Sequence, residues 1–401
     1  GAALALCVGA GATEVSVTQA NQLIGDSVEL NGEYKLTADI TIDRSIVIKK
    51  EKSVTLDLNG HVLKYKSANK GSVIKVEGGG HLTIQDSCKD DTTAVHKFDT
   101  TNDLWVLNDN PPEGKAETIQ GGVITGGTGT QWDQYYRGGG VYVAPGGTLI
   151  MESGSIVGCS GSGAINGGGG VYLGLNSSPT DPTADTFTMN GGRIIGCTAG
   201  LGGGVLVAPG CKFTMNAGAV IRSCTAQMGG GVYNIGNIGT SDSPGTFTLN
   251  GGTVESNVTN SGTINADGGK ITGEVTNGVD KGPGKITGTS DDSDKTEFTN
   301  TVTNHSNSTL SGFGTFTGTV INNGGKITGF GTFTGTVINN GGKIIGFCDF
   351  KEATLIGYLI VTFDPDNGAQ SFTRQVPWCK DGAALTEPSP APTKDCLLYT
   401  S

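Results

Sequence analysis

Positive charge is scarce in this chain: 26 Lys and Arg stand against 37 Asp and Glu, a net charge of −11, with no Lys/Arg-rich run. The basic stripe that neutralises a phosphate backbone or an anionic bilayer is missing, so neither nucleic acid nor an anionic membrane is an expected partner. Charged residues of both signs make up 16% of the chain and hydrophobic residues 35%, which does not fit a segment kept disordered by charge and low hydrophobicity. Long apolar runs are also missing. A membrane-spanning helix takes about 20 such residues, and no transmembrane segment is expected. Nine Cys include no C-x-x-C, and the four His (His61, His81, His96, His305) share no ligand spacing, so zinc frameworks are excluded and no metal or other cofactor is expected.

Glycine is in excess, with 69 residues in 401, against about 7% in an average protein. Such a chain is either disordered or returns to tight turns at regular intervals, and this one repeats. Gly138-Gly-Gly-Val-Tyr-Val143, Gly168-Gly-Gly-Val-Tyr-Leu173, Gly202-Gly-Gly-Val-Leu-Val207 and Gly229-Gly-Gly-Val-Tyr-Asn234 are variants of one segment. Between them recur Phe187-Thr-Met-Asn190, Phe213-Thr-Met-Asn216 and Phe247-Thr-Leu-Asn250, with Leu149-Ile-Met-Glu152 as a degenerate copy. A third segment follows each time: Ser155-Ile-Val-Gly-Cys159, Arg193-Ile-Ile-Gly-Cys197, Val220-Ile-Arg-Ser-Cys224 and Thr253-Val-Glu-Ser-Asn257.

Each unit holds three short stretches of strand-like alternation between turn residues, and none with helical period. One unit is too thin to bury its own apolar face. Stacked units bury it, each stretch becoming one strand of a parallel sheet. The expected fold is therefore all-β, a right-handed parallel β-helix over 13–260. Cys159, Cys197 and Cys224 then share one column, with Asn257 after them. Rungs about 4.8 Å apart put their Cα atoms within disulfide reach, but stacked parallel side chains meet the torsion of a disulfide poorly, and packed free thiols are expected. Tyr142, Tyr172 and Tyr233, with Leu206 between, read as a structural ladder.

The same rhythm marks Ile40-Thr-Ile42, Ile46-Val-Ile48 and Leu82-Thr-Ile84. Residues 87–117 break it with Asp, Thr, Trp105 and Pro111-Pro112, and read as a loop extruded from a corner. From 261 the pattern thins to Thr, Asn and Gly, and 312–328 recurs at 329–345 with only the last residue changed. The alternation of Phe, Val and Ile there predicts smaller rungs over 261–350. The opening Gly1-Ala-Ala-Leu-Ala-Leu-Cys-Val-Gly-Ala-Gly-Ala12 reads as a signal-peptide remnant ending in a small-x-small cleavage site, and secretion is expected.

The Gly-Gly-Gly-Val and Phe-x-x-Asn pairing over 120–260 resembles the repeats of polymorphic outer-membrane proteins and adhesin-like β-helix proteins of gut bacteria. Leu56-Asp-Leu-Asn-Gly-His61 resembles the opening rungs of the pectate-lyase-like superfamily. Tyr358 to Lys394, through Val361-Thr-Phe-Asp364, Asn367-Gly368 and Pro392-Thr-Lys394, is similar to the Listeria-Bacteroides repeat of internalins and other Gram-positive surface proteins. That resemblance implies a small β-grasp module over 357–395 and a connection to the cell wall. The family continues Gly-Tyr-x-Phe-x-Gly-Trp where this chain has Cys396-Leu-Leu-Tyr-Thr-Ser401, so the module is expected to be incomplete and 396–401 to be a truncated or artefactual tail.

Fold alone does not give function. Polysaccharide lyases and hydrolases of this architecture need clustered carboxylates. Along 138–260 the charged residues are few and do not recur in pairs. No catalytic residue is assigned. The expected function is a non-enzymatic surface or secreted protein, an adhesin or scaffold for a glycan or host-surface ligand. The alternative is a polysaccharide-active enzyme using Asp90, Asp91, Asp99 or Asp103 of the insertion. Candidate binding residues are Trp132, Tyr135, Tyr136 and Arg137, three aromatics and a guanidinium between glycines, together with Trp105. Two readings stand for these rings: platforms on which sugars stack, or caps on the apolar column.

Overall fold

A computed structural model describes residues 12–24, 28–132, 135–161, 167–174, 185–236, 243–279, 282–289, 295–329, 331–346, 348–350, 352–365, 372–377 and 396–400. These residues form a parallel β-helix with three faces. The first face is a 13-stranded sheet from Thr13–Val15 to Lys343–Gly346, and the second an 11-stranded sheet from Ile40–Ile42 to Thr332–Phe333. The third is a 14-stranded sheet that starts at Ile46–Ile48 and leaves the solenoid through Thr354–Pro365. Successive strands of a face are one turn of coil apart: Thr186–Met189, Lys212–Met215 and Thr246–Leu249 pair in parallel with Phe187, Phe213 and Phe247 in register.

Alternation across each strand sends one set of side chains inward. Phe187, Phe213 and Phe247 stack at 4.8 and 5.0 Å between ring centroids, which is the strand spacing itself. Phe298, Phe316, Phe333 and Phe350 repeat this further along, at 4.8, 4.7 and 4.8 Å. Two features explain the triple glycines. The first of each triplet (Gly138, Gly168, Gly202, Gly229) has φ of 61, 65, 58 and 61°, a left-handed turn that glycine makes without steric cost. The second and third lie backbone to backbone between rungs. A Cβ on Gly139 would stand 2.6 Å from the Gly169 carbonyl oxygen, and one on Gly140 would stand 2.6 Å from that of Gly170.

The rungs continue unbroken past 260, since Thr246–Leu249 pairs with Thr263–Ala266 and Val258–Asn260 with Val275–Asn277. What changes is the interior. On the third face Asn234, Asn260, Asn277, Asn304, Asn322 and Asn339 turn inward, all at 0% exposure. Each side-chain N–H donates to the Oδ1 of the next, at 2.8, 2.8, 2.8, 2.9 and 2.9 Å in order. The amides also reach backbone oxygens of the corners, Asn234 to Thr263 at 2.9 Å and Asn277 to Thr309 at 3.1 Å. A buried amide is expensive unless its bonds are made, and here the neighbouring copy makes them. The column starts at Asn234 Oδ1, which lies opposite Val207 and has no partner among the described residues.

Cys159, Cys197 and Cys224 form the expected column as free thiols, 0, 0 and 5% exposed. Their S–H groups donate to the carbonyls of Val157, Ile195 and Arg222. Contact with Cys197 and then burial push the Cys159 thiol well up, and burial does the same to Cys197.

At the C-terminal end Thr354–Pro365 begins as the next parallel strand, with Thr354 to Gly357 beside Thr336 to Asn339, then pairs antiparallel with Phe372–Pro377 and Cys396–Thr400. The C-terminal segment therefore grows from the last rung, and the tail read as truncated or artefactual, 396–401, contains the strand Cys396–Thr400. Asn367, Gly368, Pro392, Thr393, Lys394 and residues 1–11 lie outside the described residues.

Two outcomes are expected from these columns. Asn277→Ala deletes a link and leaves the Asn304 Oδ1 without its Asn277 donor, at a cost of about 2 kcal/mol, read as lost amide hydrogen-exchange protection in the rungs around 260 and 304. Asn216→Ala, in the exposed chain Asn190–Asn216–Asn250, should change protection by less than about 0.5 kcal/mol; equal effects would mean that the inner ladder contributes nothing special. Because the thiolate is the reactive form, iodoacetamide on the native protein should label the half-buried Cys88 before Cys159 or Cys197, as mapped by peptide mass spectrometry.

Candidate functional site

The inserted segment is a folded element and not the extruded loop its composition suggested. Val95–Asp99 pairs antiparallel with Val106–Leu107 on one side and Ala116–Gln120 on the other, and this small sheet lies over the second face. Phe98, Trp105 and Ile119, exposed by 0, 7 and 1%, form a second core with Val62, Val123, Val157 and Ile195. Those four are outward-facing residues of the solenoid, so the cover buries a surface that water would otherwise meet. Arg193 donates to the Gln120 carbonyl at 2.7 Å, and the Arg222 guanidinium sits 5.4 Å from the Trp105 ring centre. Trp105 is therefore the anchor of the cover, and it also lines a groove at the cover's end.

Glycine decides where Trp105 can lie. A Cβ on Gly196 would stand 2.0 Å from Trp105 Cγ, and one on Gly158 would stand 1.9 Å from the Trp105 carbonyl oxygen. Both have left-handed φ, 61° at Gly158 and 59° at Gly196. The equivalent position one rung further on is Ser223, which holds the same conformation at 55°. The cover stops there. Outward residues change with it, from Val157 and Ile195 to Arg222, and Glu255 follows on the next rung.

Where the cover ends, a groove of about 840 Å³ opens between Thr100, Asp103, Trp105, Lys115 and Glu117 of the insertion and the corners from Ser223 to Thr276. The solenoid side contributes Ser223, Thr225, Gln227, Glu255, Asn257, Glu274 and Thr276. Asn257 Oδ1 accepts the Glu274 backbone N–H at 3.0 Å, which fixes the corner carrying that carboxylate. Four carboxylates from two walls thus share one groove with hydroxyls, amides and a single lysine. Of these only Asp103 is a candidate on sequence grounds. Glu117, Glu255 and Glu274 come from three elements with no common spacing.

The other insertion carboxylates are occupied locally. Asp91 accepts from the Thr93 N–H and hydroxyl, both at 2.8 Å. Asp99 accepts from the Thr101 hydroxyl at 2.6 Å and N–H at 2.9 Å. These bonds hold both carboxyls below the usual range. Asp90 is exposed beside Lys89. Among the described residues no group of three or more His, Cys, Asp or Glu is placed to hold a metal.

The second candidate region is a hairpin in which Thr130–Trp132 pairs with Tyr135–Arg137. It is tied down where Ser72 Oγ meets Thr130 Oγ1 at 2.7 Å and donates to the Arg137 carbonyl at 3.3 Å. Tyr135, Tyr136 and Arg137 are half-buried. Lys70 Nζ lies 4.2 Å from the Tyr136 ring centre, and the Arg137 guanidinium lies 5.7 and 5.1 Å from those of Tyr135 and Tyr172. The Trp132 backbone belongs to the hairpin, while its side chain lies outside the described residues. Tyr142 and Tyr172 stack at 5.6 Å and are 6 and 3% exposed, so the tyrosine column, on the opposite side of the strands from the inward Val143 and Asn234 column, is buried packing.

Gly196→Ala should eject Trp105 and undock the cover, since the added methyl meets the indole and the left-handed backbone disfavours a side chain by roughly 1–2 kcal/mol. Hydrogen exchange over 95–120 should rise at least tenfold while rungs beyond 246 stay protected; unchanged exchange would show that the cover is not held there. No protein-family model, curated protein or solved structure matches the chain, which leaves its repeats, its cover and its groove as the guides to function.

Proposed function

We propose that this chain is a non-catalytic binding scaffold of a secreted or cell-surface bacterial protein, and that an extended glycan of a host or neighbouring cell is the ligand of the groove beside the cover. The observation that carries the reading is the lining of that groove. Hydroxyls of Thr100, Ser223, Thr225 and Thr276, amides of Gln227 and Asn257, and the four carboxylates supply donors and acceptors in the mixture that sugar hydroxyls use. Small-molecule pockets are mostly apolar and enclosed; this groove is polar and open along one side of a solenoid. The hairpin at Tyr135, Tyr136 and Arg137 is a second contact surface on the same body. Display at a Gram-positive cell wall is part of the proposal. It rests on the resemblance of the C-terminal segment to the Listeria-Bacteroides repeat and of the rungs to adhesin-like and polymorphic outer-membrane repeats.

One feature of the groove favours a second reading. Asp103 and Glu117 face the solenoid wall that carries Glu255 and Glu274, and glycoside hydrolysis needs two carboxyl groups on either side of the bond. A glycan array probed with the whole chain, run beside a reducing-sugar and unsaturated-product assay on the same polysaccharides, separates the two. Binding without turnover, weakened about tenfold (1.4 kcal/mol) by Gln227→Ala with Glu255→Gln, is the expected result. Turnover abolished by Glu255→Gln or Glu274→Gln would establish the enzyme, and silence in both assays would remove the glycan as ligand.

A further inference from the structure

The pentapeptide Gly-Lys-Ile-Thr-Gly occurs at 269–273, 284–288 and 325–329, and Gly-Lys-Ile-Ile-Gly at 342–346. The first copy lies on the second face, where Lys270 Nζ is 2.9 Å from Glu297 Oε2. The other three lie on the first face as Lys285–Gly288, Lys326–Gly329 and Lys343–Gly346. Their lysines are exposed, and among the described residues none has an ion-pair partner.

Register puts these lysines in one column. Lys285 lies beside Thr309, Thr309 beside Lys326, and Lys326 directly beside Lys343. Lys212 continues the same column beyond Thr246 and Thr263. Two residues further along each strand runs a hydroxyl and amide column, Thr248, Asn265, Thr287, Ser311 and Thr328. The described corners leading into these strands, 282–284, 305–308, 323–325 and 340–342, hold no carboxylate. Like charges directly opposite on neighbouring strands repel. In a chain of net charge −11 this is a row of positive charge that, among the described residues, no ion pair offsets. The charges recur at multiples of about 4.8 Å along the axis. A compact anion could meet one or two of them; a linear one lying along the axis meets all, with the hydroxyl column beside it.

We propose that the outer side of the first face, from Thr246 to Lys343, binds a linear acidic polysaccharide parallel to the solenoid axis. Its carboxylates meet Lys285, Lys326 and Lys343, and its hydroxyls meet Thr287, Ser311 and Thr328. The proposal shares the glycan class with the groove reading and none of its residues. Exposed ion pairs are individually weak, so affinity comes from several engaged together and falls with salt, which screens exposed charges beyond about 10 Å at 0.1 M.

The test is binding of the whole chain to immobilised polygalacturonate, neutral dextran and single-stranded polyadenylate at two salt concentrations. Polygalacturonate should bind and dextran should not. The triple variant Lys285→Ala, Lys326→Ala, Lys343→Ala should weaken binding about tenfold or more and flatten its salt dependence. Thr287→Val with Thr328→Val should weaken it less and keep the salt dependence, and Glu255→Gln with Glu274→Gln, in the groove, should leave it unchanged. Hydrogen exchange at Ile286 and Ile327 checks that each variant is folded. No binding by the wild type, full binding by the triple variant, loss only in the groove variant, or equal affinity for polyadenylate would each overturn the proposal; silence of the groove on a glycan array would not.

Discussion

Every side chain in a parallel solenoid lies directly over its counterpart one turn away, at about 4.8 Å, and everything else in this protein follows from which residues tolerate that. Flat rings do, since the strand spacing is close to their stacking distance, and Phe187, Phe213 and Phe247 keep parallel planes within 13°. A primary amide does, because it is both donor and acceptor and can hand a bond from copy to copy. Glycine permits backbones to touch. A charge does not, unless an opposite charge, the solvent or backbone donors offset it: the buried carboxylates of Asp86 and Asp185 accept the N–H groups of Gly60, Gly122 and Gly146, and the stacked lysines of the first face point to solvent.

This constraint made the fold legible. The Gly-Gly-Gly-Val and Phe-x-x-Asn segments recur because each position answers to the same position in the next rung, and three strands per turn could be counted from them. The continuation past 260 was legible for the same reason, in the Phe, Val and Ile of 312–345. The asparagine ladder was not. Asn beside Gly is usually a turn residue, and only the spacing of Val258-Thr-Asn260, Val275-Thr-Asn277 and Val302-Thr-Asn304 after hydrophobic residues marks it as inward. A buried polar column and an exposed turn have nearly the same local sequence.

The site was less legible because it is made by docking. Nothing local announces that 87–117 folds back, and its Asp, Thr and Pro content is that of a loop. The signal lies on the other partner. At Ser155-Ile-Val157 and Arg193-Ile-Ile195 the outward position next to the core residue is apolar, whereas Val220-Ile-Arg222 and Thr253-Val-Glu255 return to polar. A solenoid face that is apolar on both sides is a face that something covers. Gly158 and Gly196 sit at that edge, and Ser223 marks where the cover stops. The four carboxylates of the groove belong together only once this has happened.

The recurring Gly-Lys-Ile-Thr-Gly segment shows how far local sequence falls short. On the second face its lysine finds Glu297; on the first, the same five residues present a lysine to solvent in a column of its own kind. Propensity and the burial of Ile271, Ile286 and Ile327 are alike in both places, while the leading glycine is left-handed on the second face, φ 72° at Gly269, and not at Gly284 or Gly325 on the first. The difference is the face on which the rung count has set the segment and what that count has laid beside it. In a fold of this kind a motif acquires its chemistry from register, so what an outer column presents to solvent is read rung by rung. That is why the groove and the lysine column stand as separate surfaces on one body: the groove needed an insertion to build it, whereas the column required only repetition of a rung.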